Sequence, residues 1–429
     1  MESRLSFQEA VDALSAASAK PWRMGLDRMN ALVDELGLAD YVRGHLRPQY
    51  FHVAGTNGKG STVCMLQHLL VAHGFQTGTS CSPFVYDVRE RVQLNLDLIT
   101  HEAFARLTSR LVDASHRLEA TEFGGASEFE LKTALGFLYW EENGVEAVAL
   151  ETGMGGRLDA SNVVSPACSV ITSIGLDHTE HLGDTLEKIA FEKGGIIKFG
   201  VPVVIGDMPD GPANVLLEIA ASLGCQVWRF GRDFWVEDGA SGFSVVTPAG
   251  RFEGLQTGLK GSIQKVNAAV ATAALAAGGV ELDPEKVVDS LAHAVWPGRF
   301  ELHQFSGMEV ALDGGHNAQS AQILAQICRE RWAGKRIGVI FGMLKGHDPV
   351  VFAHGLSGAA ERFAVVKAPT PRAMDRHEVF TRLDAAGLPA KECGSIREGL
   401  ERFAALGFEA VLICGSFYLL EEAISALTN

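Results

Sequence analysis

The chain has 429 residues, 47% of them hydrophobic and 21% charged. That is an ordinary globular composition, which excludes disorder, collagen-like repeats and coiled coil as the main architecture. The 37 Lys and Arg against 52 Asp and Glu give a formal net charge of −15, which argues against coating nucleic acid or anionic membrane but leaves room for a small anionic substrate in a locally cationic site.

Short apolar runs alternate with helical periods, the βαβ signal of a largely parallel sheet. The first unit is a strand at 50–54, a Gly-rich turn, and a helix in which Val63, Leu66, Leu69 and Leu70 share a face and Gly74 supplies the stop. Further strands are expected at 146–150, 168–174 and 201–205. The stretch 227–252 differs: aromatics, alternation and the turns Asp238-Gly239 and Ala249-Gly250 predict antiparallel hairpins, followed by an Ala-rich helix over 264–277. Trp296-Pro297-Gly298-Arg299 breaks the pattern, and a second series of strands follows at 309–312, 336–341, 363–367 and 410–414. The expectation is an α/β protein of two domains, 1–297 and 298–429. The cysteines, Cys64, Cys81, Cys168, Cys225, Cys328, Cys393 and Cys414, are scattered and odd in number, with no Cys-x-x-Cys, so a reducing cytoplasm is expected rather than a disulfide framework or zinc site. The N-terminal residues Met1 to Leu5 lack the apolar core of a signal peptide, and the Ala-rich run 266–280 is too short and weak to span a bilayer.

The strongest chemical signal is Gly55-Thr56-Asn57-Gly58-Lys59-Gly60-Ser61, which follows a predicted strand and opens a predicted helix. Glycines let backbone N–H groups turn inward around an anion, the helix N-terminus adds partial positive charge, and Lys59 supplies a point charge to the β/γ-phosphates. The spacing is shorter than a standard Walker A, since Val53 stands where its first glycine would be. Two polar clusters follow other strands: Glu151 to Asp159, and Gly175-Leu176-Asp177-His178-Thr179. Open α/β sheets gather ligands at that edge, and a carboxylate near nucleotide phosphates points to magnesium. The bland alternative makes Glu151 a helix cap and His178 a satisfied loop histidine. Taken alone, Lys193 reads as a solvated helix lysine and Ser82-Pro83-Phe84 as a turn. In the second half, Asp313-Gly314-Gly315-His316-Asn317 and Gly415-Ser416 each follow a strand, with ordinary loop chemistry as the competing reading.

In combination and in order, these motifs resemble the folylpolyglutamate synthase/dihydrofolate synthase family, within the Mur ligase group of ATP-dependent amide-forming enzymes. The resemblance runs from about Gly25 to Tyr418 and is carried by Gly25-Leu26-Asp27-Arg28, the segment His52 to Ser61, Ser82-Pro83, Glu90-Arg91-Val92 and Phe129-Glu130. It continues through Gly155 to Ala160, Thr172 to His178, Glu192-Lys193, Pro297-Gly298-Arg299 and Gly415-Ser416-Phe417-Tyr418. The Gly-Lys-Gly-Ser ending of the phosphate loop favours the folate branch over the cell-wall branch. Several positions depart from the family pattern: Gly315 and Ala318 flank His316-Asn317, Ile263 precedes Gln264 where a histidine is usual, Gly194 follows Lys193, Ser161 precedes Asn162, and Gly346-His347-Asp348 replaces Asp-Lys-Asp. None removes a metal- or phosphate-binding group, and the last two bear on substrate preference.

The resemblance implies a P-loop ATPase domain with a mostly parallel sheet that also binds the pterin, and a smaller C-terminal Rossmann-like α/β glutamate-ligase domain. It implies ATP contacts at Gly55, Thr56, Asn57, Gly58, Lys59, Gly60, Ser61, Asn267, Arg299 and Asp313, and Mg2+ held by Ser82, Glu151 and His178. Lys193 would be carbamylated and bridge metal, a modification that requires a neutral amine. His316 and Ser416 would lie near the incoming glutamate, and Phe129, Leu158, Asp159 and Ala160 would shape the pterin side. Lys59, Lys193, His316 and Arg299 form the expected catalytic set. The implied substrates are ATP, L-glutamate and dihydropteroate or a reduced folate, joined through an acyl phosphate with release of ADP and phosphate. A monomer is expected, with no nucleic acid or membrane partner, and a monovalent cation stays open. Whether the enzyme acts on dihydropteroate, on folate tails or on both is also open. A Mur-type ligase for another carboxylate, or a P-loop NTPase that is no ligase, are the rival readings; the second would have no use for the motifs of the C-terminal half.

Overall fold

The runs that the sequence marks as apolar pair as parallel strands because they are covered on both faces. The computed structural model describes residues 5–19, 25–44 and 48–428. Residues 1–4, most of the stretch searched for a leader, lie outside them. The chain forms two compact units, one of Met1–Gly175, Thr179–Gly258 and Lys265–Ala294, and a second of Leu176–His178, Leu259–Gln264 and Val295–Asn429.

In the first unit the strands are β1 (Gln49–Ala54), β2 (Thr77–Ser80), β3 (Gln93–Leu94), β4 (Asp97–Leu98), β5 (Ala147–Glu151), β6 (Pro166–Ile171), β7 (Val203–Ile205) and β8 (Val227–Arg229). Among the described residues they form one sheet in the order β4-β3-β2-β5-β1-β6-β7-β8. Strands β2, β5, β1, β6, β7 and β8 run parallel, and β3 and β4 add an antiparallel edge. The central strand β1 has β5 on one side and β6 on the other, with Val53 opposite both Glu151 and Val170. That register delivers the ends of three strands to one edge. Strand β2 is made of small residues, and Gly78 accounts for it: a Cβ there would come within 2.8 Å of the indole of Trp140. The buried Trp140 in turn donates from Nε1 to the carbonyl of Gln93 at 2.9 Å.

Helix Lys59–Ala72 fills the space beside β1, β2 and β5, and Gly60 to Gln67 are all buried. Helix Glu128–Glu142 begins in a capping box in which Ser127 and Glu130 satisfy each other's backbone N–H groups. Glu130 also accepts from Arg28 Nε at 2.7 Å in a buried ion pair. That pair ties together two separated motifs of the family pattern.

The stretch expected as hairpins divides. Val227–Arg229 lies parallel to β7, because it follows the crossover helix Asp210–Ser222 and buries Trp228. Only β9 (Trp235–Gly239), β10 (Gly242–Thr247) and β11 (Gly250–Leu255) form the antiparallel sheet. The Ala-rich helix follows at Ile263–Ala277.

The second unit carries β12 (Glu301–Phe305), β13 (Met308–Leu312), β14 (Ile337–Phe341), β15 (Arg362–Val365), β16 (Ala390–Glu392) and β17 (Ala410–Cys414). They pair in the order β12-β13-β17-β14-β15-β16, parallel except for the β12–β13 hairpin. Phe300, Trp332, Phe341, Phe352 and Phe363 anchor its core. Gly338 and Gly399 let helix Ile396–Ala405 pack closely on the sheet, against Phe403 and Ile340 respectively. This doubly wound α/β architecture is the one the motif order implied.

Candidate active site

Strand β1 ends at Ala54, and the next four residues turn the chain into helix Lys59–Ala72. Two glycines make the turn possible. Gly55 has φ 154°, and a Cβ on it would lie 1.9 Å from Thr172 Oγ1. Gly58 has φ 84°, a left-handed conformation that costs other residues ~1–2 kcal/mol, and a Cβ there would meet Asn267 Oδ1 at 2.7 Å. Gly58 is the N-cap and gives no side-chain cap to the helix. The loop is pinned from the end of β6: Thr172 Oγ1 donates to Asn57 O at 2.6 Å, Asn57 N donates to Ser173 Oγ at 3.1 Å, and Thr56 N donates to Ser173 O at 2.8 Å. Thr56 Oγ1 closes the junction, donating to Gly175 O at 3.0 Å and accepting from Gly175 N at 2.9 Å.

Two lysines converge on this loop. Lys59 Nζ donates to Gly55 O at 3.0 Å and to Thr56 O at 3.3 Å. Lys193, 4% exposed near the end of helix Leu186–Gly194, donates from Nζ to the same Gly55 O at 2.9 Å. Lys193 is therefore no solvated helix lysine. The Lys59 cation, a glycine turn and a helix N-terminus form an anion site of the phosphate-binding kind, with the buried Lys193 Nζ beside it. Asn267, expected to contact ATP, lies against Gly58.

Glu151, the last residue of β5, is buried and accepts from Ser82 N at 3.0 Å. Ser82 Oγ is a buried oxygen with no hydrogen-bond partner among the described residues. A carboxylate beside an unpaired hydroxyl oxygen is a hard donor set, which fits Mg2+. His178 has φ 49° and an exposed side chain, next to Asp177, and packs with the second unit.

The loop after β5 is organised by Asp159. Its buried carboxylate accepts from Gly153 N and Met154 N at 2.9 and 3.0 Å, and from Ser161 N and Oγ at 3.0 and 2.6 Å. Burial pushes its carboxyl upward against those bonds. Asp159 thus acts on its surroundings by shaping the segment that carries Leu158 and Ala160. Ser161 Oγ also lies 2.8 Å from Nε2 of the buried His52, whose imidazole burial pulls down to about 3. Phe129 lies against Gly153 on one side and 5.0 Å from the Arg91 guanidinium on another. Arg91 is buried, and its Nε has no partner among the described residues.

In the second unit, Asp313 follows β13. Its buried carboxylate accepts from Phe300 N at 2.9 Å and Gly315 N at 2.7 Å, and burial raises its carboxyl despite the neighbouring Arg299. Arg299 lies 5.0 Å from the Phe417 ring, with its Nε buried and unpartnered among the described residues. Ser416 is buried, and its Oγ accepts from Tyr418 N at 3.2 Å. His316 Nδ1 lies 2.9 Å from Gly314 O.

The structure thus brings Gly55–Ser61, Lys193 and Asn267 to one loop, Ser82 to Glu151, and Arg299 to Asp313 and Phe417. The sequence reading gave no role to Arg91, Thr172 or Ser173, although each lies in a motif it quoted. The available signals were an arginine in the quoted Glu90-Arg91-Val92 and a hydroxyl pair ending a buried strand. Neither shows from sequence alone which loop it faces.

The comparisons with known proteins agree with this geometry. The Mur ligase middle domain family matches residues 53–275, and the Mur ligase, glutamate ligase domain family matches residues 298–417. The Dihydrofolate synthase/folylpolyglutamate synthase of Bacillus subtilis (strain 168) is 34% identical over 413 residues, covering 93% of this chain and 94% of its own. Escherichia coli FolC in complex with DHPP and ADP superposes with a TM-score of 0.88 at 27% identity, covering 99% of this chain and 98% of that one. The bifunctional folylpolyglutamate synthase/dihydrofolate synthase from Yersinia pestis, complexed with AMPPNP and Mn ion, gives 0.87 at 26% identity and covers 100% of both chains. Among the described residues, no helix is long and apolar enough to cross a membrane. The motifs, the fold and the relatives agree: this chain belongs to the dihydrofolate synthase/folylpolyglutamate synthase family of Mur ligases.

Proposed function

We propose that the protein is an ATP-dependent ligase that joins L-glutamate to dihydropteroate and to the glutamate tail of reduced folates, releasing ADP and phosphate. The observation that carries this reading is the loop Gly55–Ser61, with Lys59 and Lys193 on one carbonyl and the unpaired Ser82 Oγ beside Glu151. Its likeness to relatives named for both activities supports the substrate class.

A carboxylate is a poor electrophile, and its oxygen a poor leaving group. In the first step a substrate carboxylate oxygen bonds to the γ-phosphorus of ATP while the bond to the β-phosphate oxygen breaks, giving an acyl phosphate and ADP. Lys59 and the loop amides hold the transferring group in line and stabilise its equatorial oxygens. Ser82, Glu151 and His178 would hold Mg2+, which supplies charge neutralisation at the phosphates. In the second step the glutamate amine attacks the acyl carbon, a proton leaves the nitrogen, and the C–O bond to phosphate breaks. Asn267, Arg299 and Asp313 are assigned to ATP, His316 and Ser416 to glutamate, and Phe129, Leu158, Asp159 and Ala160 to the pterin side, with residues 1–297 and 298–429 as the two functional domains. The unpartnered Arg299 Nε suits a polar ligand atom.

Lys193 is proposed to be carbamylated: the neutral form of this buried amine would add to CO2 with loss of a proton, and the resulting anion would join the metal site. Lys193→Ala is then inactive and partly rescued by acetate; wild-type activity without rescue returns Lys193 to a packing role. A monovalent cation, a monomeric state and a cytoplasmic location complete the reading. The deciding experiment measures phosphate release with ATP, Mg2+ and L-glutamate, adding dihydropteroate or a reduced folate in parallel. Release with each acceptor establishes both activities, release with one assigns the branch, and release with neither overturns the proposal.

A further inference from the structure

A second cluster of metal-binding groups lies within the second unit. The ligand atoms of Asp177, His316 and His347 all lie within 4.8 Å of one another. His316 Nε2 is 3.7 Å from Asp177 Oδ2, and the His316 and His347 rings are 5.1 Å apart in an edge-on arrangement. We propose that these three side chains bind a first-row transition-metal dication of the zinc type, distinct from the magnesium of the ligase reaction.

His316 presents one ring nitrogen to this cluster. A carbonyl oxygen only accepts, so the 2.9 Å contact between Nδ1 and Gly314 O places a proton on Nδ1. In the neutral ring Nε2 then carries the lone pair, and it faces a carboxylate oxygen. Two such electron-rich atoms repel unless a cation joins them. Metal-bound histidines characteristically donate their other N–H to a backbone carbonyl, which is the arrangement of Nδ1 here. Asp177 is oriented in the same way: its Oδ2 accepts from Asn317 Nδ2 at 3.0 Å. Burial pulls the His347 imidazole down to about 4, so it stays a neutral ligand near pH 7. Two neutral imidazoles and one carboxylate suit Zn2+, Co2+ or Ni2+ better than Mg2+, which prefers oxygen. Zinc bonds of ~2.0–2.2 Å require the three groups to close in by roughly 1 Å, within the reach of side-chain rotation. His316 is 30% exposed, which leaves an entry path and an open coordination position.

The test uses the full chain, stripped with a chelator and dialysed, with millimolar Mg2+ present to hold the oxygen-rich site. Co2+ is titrated in, and its visible d–d absorption gives affinity, stoichiometry and coordination. The expected result is one equivalent of Co2+ with absorption of a four- or five-coordinate nitrogen–oxygen site, displaced by Zn2+. His347→Gln should weaken binding ~10–100-fold or more, the loss typical of damage to a metal shell. His347→Cys, which keeps a ligand atom, should retain Co2+ and add a thiolate-to-cobalt charge-transfer band. No Co2+ binding in the presence of Mg2+, or binding unchanged in His347→Gln together with no charge-transfer band in His347→Cys, overturns the proposal. These readouts do not depend on ligase activity, so the site and the proposed function fail separately.

Discussion

The loops at the ends of β1 and β13 do comparable work with opposite materials. The first is fixed by neutral groups: hydroxyls of Thr56, Thr172 and Ser173 bond to backbone, glycines allow close approach, and the positive charge comes from Lys59. The second is fixed by a buried carboxylate, Asp313, which gathers Phe300 N and Gly315 N beside the cationic Arg299. The difference follows from what each must leave available. A loop that receives phosphate keeps its N–H groups and cations for the ligand, and an internal carboxylate would compete for both. A loop that positions an arginine gains from an anion at its back, because the buried cation is then compensated.

Four experiments sharpen or break this contrast. The largest effect is expected from Lys59→Ala, which removes charge from the ligand side of the first loop. Turnover should fall by ~10²–10³-fold while thermal stability changes little; near-normal turnover would remove Lys59 from the phosphate site. Ser82→Ala should raise the Mg2+ concentration needed for half-maximal activity by ~10–100-fold, on the scale of lost metal-shell contacts. An unchanged magnesium requirement would make the unpaired Ser82 oxygen a packing accident. Asp313→Asn presents an amide to a site built from N–H donors, so urea unfolding should register a loss of about 1–3 kcal/mol. If the same change costs nothing, the carboxylate clasp is not what orders the second loop.

The fourth experiment concerns pH. His52 is neutral when folded, with its imidazole pulled down to about 3 by burial, against an ordinary 6.5. Between those values the unfolded chain binds a proton that the folded chain does not. Its contribution is therefore fully present above pH ~6.5 and is lost at about 1.4 kcal/mol per pH unit as pH falls towards 3. His52→Gln keeps a donor for Ser161, so its stability should fall less steeply between pH 6.5 and 4 in chemical denaturation. Identical slopes in the two proteins would remove His52 as the source.

Much of the parallel fold was legible because its strands are apolar and bounded by glycine. Strand β1 and the helix after it appear within a residue or two of their expected limits. Strand β2 was not legible: Thr77-Gly78-Thr79-Ser80 has no apolar side chain, and it is a strand because Trp140 fills the space its small residues leave. Strand β8 was assigned to the wrong pairing, since alternation cannot say whether a crossover helix precedes a strand or a hairpin follows it. Within the site, the loop Gly55–Ser61 was readable because its chemistry is local. Lys193 was not readable by its own neighbours, since its partner Gly55 lies 138 residues away.

The sequence by itself determined the identities of the chemical groups and their order along the chain. Local rules act over a few residues, so glycine turns, capping boxes and apolar periods are written where they operate. Only the tertiary structure decided which groups face one another: Lys193 and Lys59 on one carbonyl, Ser82 N on Glu151, Arg28 on Glu130, and Asp177 beside His316 and His347. The physical reason is that charge pairing and metal binding depend on distance and burial, and the parallel crossovers bring to one sheet edge residues that the chain holds far apart.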